Sequence, residues 1–391
     1  MIQIQKIPHS SFLTYRTDVM FDGYKWDWQA GEQSTISDRV ILVEPDDLNF
    51  LSTSAVALYH ETVAMEQALK HRPNLVLKMG ISEEMATALC NCDYNPSEHI
   101  RLMRFDFHPT HNGWALSEVN SDVPAGYPEA SILPAMTAKY FAGYSEYGNF
   151  AEVLTTRIAA HLPDAGTIAY LHDTHTVEDY QILHLIGDIM ERQGHKSIYA
   201  APSFIQWINM KAIGADFILR YYPIEWMECT SGVDWHGFVN SKTPSCNHPI
   251  ALLTQSKRLP LVWDSLGLDV STWKALLPET SCPTSIINKA DMEGWILKPA
   301  FGRVGEGINI PGTVSVSENI DILAAANNSS KQWVAQRMFQ SKPFDGRHLC
   351  IGVFVIDGQF AGLYGRASET PRIDKDAADL PVLVKTEGEQ V

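Results

Sequence analysis

From residue 44 the chain places apolar side chains at a helical period. Leu48, Leu51, Val56, Leu58, Ala64 and Leu69 fall along one stripe, and Asp46 or Asp47 stands ready to cap its start. One or two helices are predicted there, and another over 82–90. Between 104 and 120 the period drops to two. Two alternating runs flank His111-Asn112-Gly113, a turn that joins paired strands. A helical region opens at Gly126 and runs towards Phe141. Residues 167–172 then read as a buried strand, 177–194 as a helix, and 197–200 and 217–222 as further strands, the start of an α/β unit. From about Gln255 strands dominate, at 295–298, 332–336 and in a hairpin of 348–355 with 359–365. The expectation is a mixed α/β fold.

The hairpin at 104–120 carries the densest chemistry. A three-residue loop closed by Gly113 at positive φ sets Asp106 opposite Glu118 and Arg104 opposite Asn120. Side chains alternate along strands, so the four polar groups share one face while Phe105, Phe107 and Val119 take the other. A two-residue loop would slip the register by one and split the carboxylates between faces. Two carboxylates and an amide carbonyl together make a hard-oxygen site suited to Mg²⁺, which takes oxygen ligands at about 2.0–2.1 Å and shares its shell with nucleotide phosphates. Arg104 offers a fork to the same phosphates. The plainer alternative is a solvated hairpin face with one cross-strand ion pair.

A second constellation lies downstream. Lys298 ends an apolar strand, a turn containing Gly302, Arg303, Gly305, Glu306 and Gly307 follows, and a second apolar strand is predicted beyond it. Such a hairpin can fold over phosphates and donate backbone N–H groups, with Lys298 reaching them as a point charge. An ordinary glycine-rich hairpin is the alternative. No G-x-x-x-x-G-K-[ST] loop is present, nor a G-x-G-x-x-G opening a helix. Upstream, Lys257 precedes a predicted helix, and residues 277–280 form a short extended piece.

Composition narrows the reading. The 391 residues suffice for two or three layered units, and 46 acidic against 30 basic residues give a net charge of −16. That balance disfavours nucleic acid as a partner, because affinity for it rests on phosphate neutralisation. A phosphate-bearing ligand then needs local cations or a metal. No apolar run approaches the roughly 18 residues of a membrane span, and the first residues lack a signal pattern, so a cytoplasmic protein is expected. Six scattered cysteines without C-x-x-C read as mostly buried thiols in a reducing cytoplasm. His108 and His111 form an H-x-x-H, but the oxygen donors beside them suit a hard ion better than zinc. Trp226 reads as a core or domain contact.

A Lys before a helix, an L-P-E-T piece, a strand-borne I-L-K-P and a glycine-rich loop resemble the lid of ATP-grasp enzymes. The hairpin that precedes them, R-x-D followed after eleven residues by E-x-N, is similar to the synthetase domain of the glutathionylspermidine synthase family and its stand-alone relatives. Agreement extends through Glu129, 222–227, Gln336 and 352–366, nearly the whole chain. The resemblance implies an α/β (α+β) ATP-grasp fold of permuted order, with the metal-site hairpin before the lid. Residues 1–125 would bring helices and the hairpin to the core, 126–250 a pre-ATP-grasp α/β unit, 251–341 the lid, and 342–391 a hairpin returning to the core sheet. It further implies ATP and Mg²⁺ as cofactors, with Asp106, Glu118 and Asn120 as metal ligands. Arg104 would stabilise the transferring phosphoryl group, and Lys257 and Lys298 would hold the nucleotide phosphates beneath Gly302, Arg303, Gly305 and Gly307. Gln336 would line the adenine pocket, and Arg366 would bind the acyl phosphate or carboxylate. The implied activity is an ATP-dependent ligase that joins small-molecule carboxylate and amine substrates through an acyl phosphate, acting on a peptide, amino acid or polyamine. The alternatives are a nucleotide-binding protein without ligase turnover, acting through a partner, or a small-molecule kinase. The loop reads Gly-Arg-Val-Gly-Glu-Gly where the family more often has G-R-E-G, and Arg366-Ala-Ser stands where R-E-S is commoner. Both places border the substrate, so the substrate pair stays open, as do the oligomeric state and any part of Glu306 in the metal site.

Overall fold

The two long hairpins build one sheet. In the protein's structure, a computed structural model describing residues 2–30, 33–287 and 292–386, five antiparallel strands run in the order Ala378–Leu380, Gln359–Ser368, His348–Ile356, Leu102–Thr110 and Gly113–Asn120. Phe105, Phe107, Ile351, Val353 and Val355 point from one face into a core shared with Leu51, Ala55 and Leu58 of the helix Pro45–Lys70. That leaves the other face free to line a cleft. The helix is a single one of 26 residues. Its start differs from expectation: Pro45 takes the first helical position, and Asp46 and Asp47 lie in the first turn, where they complement the helix dipole instead of capping it.

Beside this sheet the described residues form three more of three or four strands and two two-stranded ribbons. Parallel strands Ser245–Cys246, Phe217–Arg220, Thr167–Leu171 and Lys196–Ala200 pack against the helices Phe150–Ala159 and Val177–Arg192. Thr280–Ser281, Trp333–Arg337 and Trp295–Pro299 form a three-stranded sheet whose Leu297 and Ala335 pack on Ile322 and Ala326 of the helix Val316–Asn328. The fourth pairs Gln3–Lys6, Arg39–Val43, Val382–Lys385 and Tyr144–Ser145. Of the helical region expected after Gly126, only Ile132–Ala138 is α-helix.

The hairpin turn has two residues, not three. Thr110 faces Gly113, and the Thr110 hydroxyl closes the turn by accepting from Asn112 N and donating to the Gly113 carbonyl. Near the turn the register is slipped as a two-residue loop demands. Asp106 nevertheless faces Glu118 and Arg104 faces Asn120, because a bulge leaves Ser117 unpaired and restores the register before the polar residues arrive.

The glycine turn after Lys298, in contrast, does not form the expected hairpin. The strand paired with Trp295–Pro299 is Trp333–Arg337, and Val304, Gly305 and Gly307 hold positive φ in a run of turns. Asn309 supplies the reason. Its Oδ1 accepts from Leu297 N at 2.5 Å and its Nδ2 donates to Asn319, so a side-chain amide occupies the sheet edge that a second strand would take. Lys257 likewise precedes short 3₁₀ turns, at Leu259–Leu261 and Trp263–Leu266, in place of a helix; Pro260 opens the first and left-handed Gly267 ends the second.

Candidate active site

Pairing across the central sheet sets the site in rows. Glu118 faces Asp106, Asp106 faces Gly352 and Gly352 faces Tyr364. Asn120 faces Arg104 in the row beside it, and Arg366 faces Cys350 on one side and Asp379 on the other. Glycine at 352 is needed, since a Cβ there would lie 2.7 Å from Arg104 Cδ; its absence lets the arginine cross from its own row into the next.

Arg104 forks onto Asp106, Nε to Oδ1 at 2.8 Å and Nη2 to Oδ2 at 2.9 Å, while Nη1 donates to the Ala125 carbonyl at 2.6 Å. Asn120 Nδ2 donates to Asp106 Oδ2 at 3.0 Å. Lys257 Nζ lies 2.8 Å from Glu118 Oε2 and donates to the Gly302 carbonyl at 2.6 Å. Lys298 Nζ donates to Gln336 Oε1 at 2.7 Å. Burial alone would raise the Glu118 carboxyl, but Lys257, Lys298 and Arg104 outweigh it and hold it at about 2. Burial also pushes the Lys298 ammonium down to about 8, with Lys257 repelling it further and Glu118 opposing. All of these side chains except Gln336 line one cleft of about 460 Å³, and Gly302, Arg303, Gly305, Glu306 and Arg366 line it too.

Two expected residues line the cleft but are held by protein partners. Arg303 turns to the helix Ile224–Met227, with Nη2 2.6 Å from Glu225 Oε1 and its guanidinium 5.4 Å from the Trp226 ring centre. Trp226 is 48% exposed, so it forms a platform for that arginine instead of core. Arg366 donates to the Asp374 carbonyl at 2.7 Å and lies 3.5 Å from Asp379 Oδ1.

The far end of the cleft is acidic, and the sequence reading missed it. Asp27, Glu178, Asp179 and Asp379 line it. Behind them Lys25, only 3% exposed, sits 2.9 Å from both Glu129 Oε1 and Asp379 Oδ2 and 3.5 Å from Asp27. Burial pushes the Glu178 carboxyl up to about 7 and that of Asp179 to about 6. Asp379 goes the other way: burial would raise it, but Lys25 and Arg366 hold it below the usual range. Spacing gave no sign of this wall. Glu178 and Asp179 occupy the first turn of a helix, where acids are ordinary dipole partners.

Whether a cation fits can be read from the donors. Among the described residues no three His, Cys, Asp or Glu side chains gather into a metal cluster. Buried His108 is committed to the Ser117 hydroxyl at 3.0 Å, which leaves the H-x-x-H without a zinc site. Asp106, Glu118 and the Asn120 amide offer two charged oxygen groups and one neutral one. Such a partial shell suits Mg²⁺, which completes its coordination with phosphate and water and not with a full protein cage.

The sequence model of the glutathionylspermidine synthase preATP-grasp family matches residues 13–385. No curated protein matches. Among solved structures, a glutathione synthetase like-effector from Globodera pallida, in apoform, superposes with a TM-score of 0.61 at 11% identity, covering 97% of this chain and 99% of that one. A putative gamma-glutamylcysteine synthetase from Methylobacillus flagellatus reaches 0.48 at 10% identity, over 82% and 86% of the two chains. The first likeness establishes a shared mixed α/β fold.

Proposed function

Because this chain belongs to the glutathionylspermidine synthase preATP-grasp family, we propose that it is a Mg²⁺- and ATP-dependent ligase that joins a carboxylate to an amine through an acyl phosphate. One observation carries the reading. One cleft gathers Arg104, Lys257 and Lys298 around two carboxylates and an amide, and four further carboxylates line it, of which Asp379 is shared with Lys25 and Arg366. The first group matches a nucleotide's phosphates, the second a cationic amine.

Phosphoryl transfer is mostly positioning and charge neutralisation. Lys298 and Lys257 hold the phosphates, and Arg104, fixed by its fork on Asp106, meets the charge that develops on the transferred group. Without nucleotide, Lys257 occupies Glu118; turning to the phosphates would release that carboxylate to a cation. Mg²⁺, held by Asp106, Glu118 and Asn120, would supply charge neutralisation at the terminal phosphates. The substrate carboxylate oxygen attacks the γ-phosphorus and ADP leaves. The amine nitrogen then attacks the acyl carbon and phosphate leaves. Before that the ammonium must lose a proton, and Glu178, at about 7, is matched to accept it near neutral pH. The acidic end supports an amino acid, peptide or polyamine as the acceptor.

Incubation with ATP, Mg²⁺ and pooled amino acids, thiol peptides and polyamines tests the proposal. The expected result is ADP, phosphate and a new amide in equal amounts. ADP with a phosphorylated small molecule and no amide would make the protein a kinase, and no turnover in any pool would count against an enzyme.

A further inference from the structure

We infer that Tyr364 is a positioning residue that ties the phosphate end of the cleft to its acidic end, its ring seating Arg104 and its hydroxyl fixing Asp379. The geometry stands by itself; its kinetic meaning rests on the ligase reading above.

Tyr364 is 7% exposed and lies in the Glu118–Asp106–Gly352 row, so its side chain stands on the cleft face. Arg104 Cζ sits 4.9 Å from the ring centre. The donors along the edge of the guanidinium are taken by Asp106 and Ala125, and the aromatic ring supports its flat side. Edge bonds alone leave a planar cation free to tilt; the ring removes that freedom. At the other end of the same side chain, the hydroxyl donates to Asp379 Oδ1 at 2.7 Å, while Asp379 Oδ2 accepts from Lys25 at 2.9 Å. One rigid side chain thus touches the arginine at one end of the cleft and a carboxylate at the other.

The backbone makes room for this ring. Gly126 has φ +103, and a Cβ added there would come within 2.8 Å of Tyr364 Cγ. Gly352, directly opposite on the neighbouring strand, likewise has no side chain to fill the space. Phenylalanine would keep the seat for Arg104 and lose the hold on Asp379. Leucine would lose both.

Two variants therefore separate the two contacts. In ligand-free crystal structures, Tyr364→Phe should keep Arg104 forked on Asp106 while the Asp379 carboxylate turns from its present orientation. Tyr364→Leu should release both. Arg104 and Asp379 unmoved in both variants would overturn the inference, whatever the reaction is. Should Tyr364→Leu not fold, Tyr364→Phe still decides, since an unmoved Asp379 there contradicts the second contact. Calorimetry with Mg²⁺ and the non-hydrolysable analogue AMP-PNP, and then with 1,4-diaminobutane, reads the consequence. Tyr364→Phe should weaken the diamine about tenfold, the worth of one hydrogen bond to a charged group, with the analogue unchanged. Tyr364→Leu should weaken both. Equal losses for both ligands in Tyr364→Phe would contradict the inference. A wild-type protein that binds the analogue and not the diamine would instead contradict the cationic acceptor, and the crystallographic test of Tyr364 would still decide its own question.

Discussion

Asp106 and Glu118 each hold a cation, and their different surroundings give their removal different consequences. Asp106 is buried beneath the Arg104 fork, so Asp106→Ala leaves a buried guanidinium unpaired; a loss of about 3–5 kcal/mol in stability is expected. Glu118 is more open, and Glu118→Gln keeps an acceptor for Lys257, so its loss should be smaller, about 1–3 kcal/mol. Both should lower Mg²⁺-dependent ATP turnover by at least about a hundredfold, since each removes a charged oxygen donor. Urea denaturation and ADP release measure the two effects separately; equal destabilisation by both variants would refute the contrast. Lys298 yields a pH prediction. Burial pushes its ammonium down to about 8, so nucleotide affinity should be full below that pH and weaken as pH rises through it. Lys298→Arg should flatten the profile and recover little affinity, because a planar fork does not replace a point charge in a packed site. Titration of AMP-PNP at pH 7 and 9 checks this. That Arg104, Asp106, Glu118 and Asn120 share a face was legible because they sit at strand spacing, whereas Lys257, off any strand, was placed only by the resemblance. The acidic end was not legible: Lys25 and Asp379 meet across 354 positions of sequence, and no local pattern announces such a contact.

Elements show where pattern and structure part. The polar register at 104–120 was readable from alternation, yet it is reached by a shorter turn and a compensating bulge at Ser117, two departures that cancel. The glycine loop was readable as a loop but not as one pinned by Asn309, whose side chain replaces a strand. Asn309→Ala should orphan the buried Leu297 N–H, at about 1–3 kcal/mol. In hydrogen exchange Leu297 should then lose protection, and the amides of 302–307, slowed by AMP-PNP with Mg²⁺ in the wild type, should respond less. Unaltered exchange at Leu297 would refute the pinning. The segment before the hairpin carries an acid-sensitive joint: buried His99 packs on His248, 4.6 Å between ring centres, and bonds the Ser245 hydroxyl. Burial pushes His99 down to about 4, below its unfolded value near 6.5. Its contribution is therefore full above pH about 6.5 and is lost as pH falls towards 4. Between pH 6.5 and 5 the wild type should lose roughly 2 kcal/mol that His99→Gln retains, measured by denaturation at the two pH values.

Across the molecule, a chain of net charge −16 brings Arg104, Lys257 and Lys298 together where the central sheet meets the small three-stranded sheet of the glycine-loop region, and lines the same cleft with Asp27, Glu178, Asp179 and Asp379. Among the described residues no helix is long and apolar enough to cross a membrane. The hairpin precedes the glycine loop in sequence, and the return hairpin 348–368 closes the sheet against it, so residues from distant parts of the chain share one surface. On the reading proposed above, this surface activates a carboxylate with ATP. Hydroxylamine tests it without knowledge of the amine, since it intercepts an acyl phosphate as a stable hydroxamate. With Mg²⁺, ATP, hydroxylamine and a pool of amino acids and small peptides as carboxylates, the wild type should form hydroxamate and ADP in equal amounts, and Glu118→Gln should form neither. ADP without hydroxamate, or AMP in place of ADP, would contradict the account.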